Sequence, residues 1–160
     1  MSNVRRRMPT HHTTSGALVA GEASIGIAGK PLQFIDRARK LHLGFRALAP
    51  LGALQAPAAI FLASWCLELS LKAHLASKGQ GKTELRSIQH DLAALWTKAA
   101  ILGLRVPSTP PHWCMLLSTT HNDPYHQRYP TDAAASSTPS IQVVEPELKA
   151  LLELVEQSLQ

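Results

Sequence analysis

Eight histidines give this chain several side chains suited to proton transfer near neutral pH. His90 has the most suggestive neighbours. It follows Arg86-Ser87-Ile88-Gln89 and precedes Asp91, so an imidazole that can take and return the proton of an RNA 2′ hydroxyl lies close in sequence to a guanidinium that can stabilise charge on a phosphate. Arg128 is a second arginine for that task, if folding of the later loop brings it up. The plainer role for His90 is structural, at a helix start beside Asp91, where a negative charge is favourable. Glu68 and Lys72 stand four residues apart with the acid first, the order that favours an ion pair along a helix. Nearly every other position around them is apolar, so each charge needs a partner or a crevice. A buried ion pair, extended to His90 or Arg128, competes there with a ligand-binding or catalytic role.

Other constellations are weaker. His121 and His126 flank Asp123, but two imidazoles and a carboxylate in a loop, without an HExxH pattern, assign no metal. Tyr125, Arg128 and Tyr129 suit either aromatic closure of the fold or stacking on a base. Gly79-Gln-Gly81-Lys82-Thr83 lacks the spacing of a phosphate-binding glycine loop. Cys66 and Cys114 lie in apolar surroundings without a CxxC pair and read as free, buried thiols. No cofactor is expected.

These residues need helices to position them. Leu32, Ile35, Leu41, Phe45 and Leu48 recur at near-helical spacing, with Pro31 placed to start the helix. A second, central helix is expected from about Ala56 to Lys78, with Pro57 in its first turn and Gly79 and Gly81 stopping it. Its apolar content allows a membrane span, but Gln55, Glu68 and Lys72 favour a buried helix. After a polar turn over 79–86, Ser87 is a plausible cap for a third helix carrying Ile88, Leu92, Leu95, Ala99 and Leu102. A short helix over 112–119 and a last one over 147–159 complete the set, with no strand pattern between them.

Composition bounds the rest. A chain of 160 residues, 45% hydrophobic and 17% charged, is long enough to bury one main core. Residues 1–110 hold 14 of the 16 lysines and arginines but only 5 of the 11 acids, so any electrostatic footprint belongs to the first two-thirds. The domain organisation expected is a flexible basic tail over 1–25, then a single helical domain over 26–160 with a polar loop around 120–144. Arg5, Arg6 and Arg7 are not followed by the apolar stretch of a secretory signal, which makes the cytoplasm the default location.

Residues 59–99 resemble the HEPN superfamily, especially its small stand-alone members. The likeness lies in a hydrophobic helix with Glu68-Leu-Ser-Leu-Lys72, a glycine-bearing turn, His90-Asp91-Leu92 and the packing residues Leu95-Trp96. Tyr125-His126-Gln127-Arg128-Tyr129-Pro130 is similar to a downstream segment in some members. The resemblance implies an all-α, antiparallel up-and-down bundle of four to five helices that often dimerises. It further implies either metal-independent RNA cleavage, as in defence or toxin systems, or partnership with a small nucleotidyltransferase, or noncatalytic binding. The catalytic branch carries an arginine and a histidine separated by four to six residues. Here Arg86 and His90 are separated by three, and no histidine follows Arg128. The expectation is therefore a noncatalytic homodimer contacting RNA, a nucleotide or a protein partner. The alternatives are an endoribonuclease using His90 and Arg128, or a purely structural interaction module. Glu68, Lys72, Asp91, Tyr125 and Tyr129 form the expected polar core or ligand site.

Overall fold

A computed structural model describes residues 31–122 and 137–160. Arg128, Tyr125 and Tyr129, the basic tail and most of the polar loop lie outside these residues. Among the described residues the protein is all-helical: α1 (Pro31–Leu48), α2 (Ala56–Ser77), α3 (Lys82–Ile88), α4 (Leu92–Ile101), α5 (His112–His121) and α6 (Ile141–Ser158). Two single 3-10 turns, Ala49–Leu51 and Ala53–Gln55, link α1 to α2.

The helix α2 is the hub. It packs most extensively on α1 and also touches α3, α4, α5 and α6. Burial extends around much of its circumference, from Ala59, Ile60 and Ala63 to Cys66, Leu67, Leu71 and Leu75. The run Ala53–Ser77 has the length and hydropathy to cross a membrane, yet half of its most apolar window is buried among the other helices. The core helix of a helical domain meets the same criterion.

Ends and faces follow from local chemistry. Both α2 and α4 stop in a Schellman arrangement. Gly79 and Gly103 sit at φ +84° and +89°, and Gln80 N–H reaches Leu75 O while Leu104 N–H reaches Ala99 O. These backbone angles are ones that glycine adopts without a Cβ clash. The buried stripe of α1 is Ile35, Ala38, His42 and Phe45, with Leu41 and Leu48 packed partly buried beside it; of the expected stripe only Leu32 falls outside, at 70% exposed.

Three boundaries differ from the sequence reading. The segment expected as a turn over 79–86 contains most of α3, and Ser87 lies inside that helix rather than capping one. The expected third helix is thus two helices, and Asp91 caps the second by accepting from Ala94 N–H at 2.9 Å. The last helix begins at Ile141 and carries Pro146 within it. Proline removes one helical hydrogen bond, but continuing through it buries Val144 on the face that also buries Leu148, Leu151, Leu152 and Val155.

Candidate functional site

Glu68 is 2% exposed and sits in the middle of α2, surrounded by donors from three parts of the chain. Lys72, one turn along, donates to its Oε1 at 2.6 Å. His90, in the turn between α3 and α4, places Nδ1 2.9 Å from Oε2, and His121, the last residue of α5, places Nε2 2.7 Å from the same oxygen. Burial alone would push the Glu68 carboxyl up. The hydrogen bond from His121, the charge and bond of Lys72 and the bond from His90 together outweigh it and hold the carboxyl at about 2. An ionised carboxylate only accepts, so a proton must stand on His90 Nδ1 and on His121 Nε2.

The turn that delivers His90 is strained. Gln89 is the one non-glycine at positive φ among the described residues, with φ 56° and ψ −116°. These are the dihedrals of the first central position of a type II′ turn, here closed by Asp91 N–H on Ile88 O at 3.3 Å. Such strain persists where surrounding contacts over-determine it. Lys72 Nζ supplies one of those contacts, donating to Gln89 O at 2.8 Å while holding Glu68. The ammonium therefore fixes both the carboxylate and the peptide that aims His90 at it.

Trp65, one turn before Glu68, forms the wall. Its indole lies edge-on to His90 at 5.5 Å and to His121 at 5.2 Å, and the two imidazoles are 5.6 Å apart at a steep angle. The His121 side chain is fully buried, and its Nδ1 has no hydrogen-bond partner among the described residues. His90 retains 25% exposure and so forms the edge of the cluster towards the outside.

The structure thus brings Glu68, Lys72 and His90 together. Asp91 is adjacent in sequence but separate in role. Besides capping α4 it accepts from Ser118 Oγ at 3.3 Å, tying the start of α4 to α5. Arg86 is exposed on α3. Tyr125, Arg128 and Tyr129 lie outside the described residues. His121 is the member that sequence reasoning misplaced, assigning it to a polar loop beside Asp123 and His126. The signal was present: Trp113, Leu117 and His121 recur every four residues, and all three are buried on one face of α5. Both cysteines are free and buried, and burial pushes each thiol up to about 12, which leaves neither as a thiolate nucleophile.

No family model, no curated protein and no solved structure matches this chain.

Proposed function

We propose that this chain is a noncatalytic helical binding protein of the HEPN type, acting as a cytoplasmic homodimer that contacts RNA or a nucleotide. One observation carries the reading: both oxygens of the buried Glu68 carboxylate are taken up by donors, Oε1 by Lys72 and Oε2 by His90 and His121. A carboxylate so engaged works as a scaffold that fixes the ring of His90 beside the half-buried Trp65. Flat rings suit stacking on a base, and the exposed Lys82 and Arg86 on α3 provide cations for phosphate. A small nucleotidyltransferase partner belongs to the same reading through the family likeness.

Fluorescence anisotropy with labelled single-stranded RNA and with nucleotides is the test. Saturable binding that weakens with salt, and weakens further in Trp65→Ala and Arg86→Ala, is expected. Absence of binding by the folded wild type would move the role to a protein partner. Light scattering on the same sample checks the dimer.

A second reading has its own support in the 2.9 Å contact between Glu68 and His90 Nδ1. A carboxylate that holds an imidazole by one nitrogen sets it up for proton transfer at the other. Under that reading the protein cleaves RNA without a metal. Cleavage in the presence of chelator, lost in folded His90→Ala and Arg128→Ala proteins, would support it, whereas undiminished cleavage in both would exclude it.

A further inference from the structure

We infer that Glu68, His90 and His121 form a binding site for a divalent transition-metal ion such as Zn²⁺. This site is independent of whether the protein binds RNA, and it is not the His121/Asp123/His126 loop pattern visible in sequence. The three ligand atoms, Glu68 Oε2, His90 Nδ1 and His121 Nε2, lie within 4.8 Å of one another. They come from α2, the α3–α4 turn and the end of α5, so the fold and not a local sequence run assembles the set. Two imidazoles and one carboxylate are a donor set that suits zinc, with a further position open to an exchangeable ligand.

Two of the three ligand separations are close to what an ion requires, and all three lie within 4.8 Å. With bonds of about 2.0–2.1 Å, tetrahedral ligands stand roughly 3.3 Å apart. The two nitrogens are now 2.9 and 2.7 Å from Oε2, and both aim at that oxygen. A small outward movement of the carboxylate would make room for an ion at the point where the lone pairs converge. Each ring would then carry its proton on the nitrogen away from the ion, His90 on Nε2 and His121 on Nδ1, which frees the two facing lone pairs as ligands. Trp65 walls the cluster on the side of both rings, and the 25% exposure of His90 gives an ion a way in.

Lys72 sets the character of the site. It holds Oε1, the oxygen that is not a ligand, and so acts as the outer partner that orients the carboxylate. Its positive charge beside the ion, with one carboxylate to offset both, favours an anionic fourth ligand such as hydroxide or chloride. Among the described residues His121 Nδ1 has no acceptor to strengthen its ring. Both features point to weaker binding than that of structural zinc sites.

The experiment uses the full chain, freed of metal with chelator, and titrates it with Co²⁺ and Zn²⁺. Expected are visible d–d absorption from a low-symmetry Co²⁺ site at one ion per chain, displacement of that signal by Zn²⁺, and a rise in thermal midpoint with Zn²⁺. His90→Ala, at the exposed edge of the cluster, is chosen to keep the fold. It should weaken binding by more than the ~10–100-fold that loss of an outer partner costs. His112→Ala is the complementary variant, since it removes an exposed histidine at the start of α5 outside the cluster and should show the Co²⁺ bands unchanged. A folded wild type without Co²⁺ absorption would overturn the proposal. So would uptake undiminished in folded His90→Ala, which would place the ion on other histidines of the chain.

Discussion

Two polar centres are buried along the same helix, about two turns apart, and they are closed in different ways. Around Glu68, three nitrogen donors converge on one carboxylate, and the group stays ionised at about 2. Around His74, the partners are neutral: the Leu102 carbonyl at 3.3 Å from Nε2 and the Ser158 hydroxyl at 2.9 Å from Nδ1. Burial lowers the pKa of His74 and keeps it uncharged. The His74 centre ties α2 to the end of α4 and to the end of α6, which is ordinary satisfaction of a buried polar side chain. The Glu68 centre includes a strained turn at Gln89, a half-buried ammonium and an imidazole that reaches the surface. A helix that closes one polar centre with neutral bonds has no general need of charge, so the charged centre is where function is best sought.

Removing each centre should separate them most. Glu68→Ala strands Lys72 without its carboxylate and is expected to cost about 3–5 kcal/mol in urea unfolding. His74→Leu keeps much of the volume and takes the side-chain partner from the Leu102 carbonyl, while Ser158 Oγ keeps its bond to Val155 O, for about 1–3 kcal/mol. Glu84→Ala on exposed α3 should fall within about 0.5 kcal/mol. Equal losses in the Glu68 and Glu84 variants would show that no charge is held in the core.

Acid should then act on the two centres in separate windows. The Glu68 carboxyl falls from an ordinary 4.5 to about 2 in the folded protein. Its contribution is complete above pH 4.5 and is lost as pH falls towards 2, roughly 3 kcal/mol in all. His74 and His42 are both lowered by burial from 6.5. Their contribution is complete above that value and begins to be lost below it. A urea midpoint series from pH 8 to 2 should therefore show two descents. Glu68→Gln should remove much of the lower descent and leave the upper, while His74→Leu should reduce the upper. One unbroken descent unaffected by either change would contradict the assignment.

Smaller effects sharpen the contrast. Asp91→Ala loses the cap of α4 and the Ser118 contact, for about 1 kcal/mol. Gln89→Gly should go the other way, gaining up to about 1 kcal/mol because glycine adopts its dihedrals without strain. A loss there would mean that the Gln89 side chain, not the backbone, supports the turn.

Much of this was legible in the sequence, and the exceptions have physical causes. The four-residue spacing of Glu68 and Lys72 within an apolar helix announced their pairing, because a buried charge has few other solutions. The favourable charge of Asp91 near a helix start was readable in the same way, although Ser87 was expected as the cap and Asp91 takes that role. The break at Gln89 was hidden, since it rests on a side-chain bond from Lys72 17 residues away rather than on a local glycine or proline. His121 was misplaced for a related reason. Its partner is 53 residues distant, and the polar run after it drew the helix boundary two residues too early. Leu32 shows the reverse error, an apolar residue with helical spacing that the fold leaves outside.

The most direct measurement is long-range proton–nitrogen NMR of the imidazoles in metal-free protein at neutral pH. The expected result is opposite protonation at one carboxylate, with a proton on Nδ1 of His90 and on Nε2 of His121, and both lost as fixed states in Glu68→Gln. His74 should hold its proton on Nε2 in wild type and variant alike. Protonation of His121 at Nδ1, or rings that exchange freely between forms, would show that Glu68 is not the shared acceptor and would remove the basis for reading this centre as the functional one.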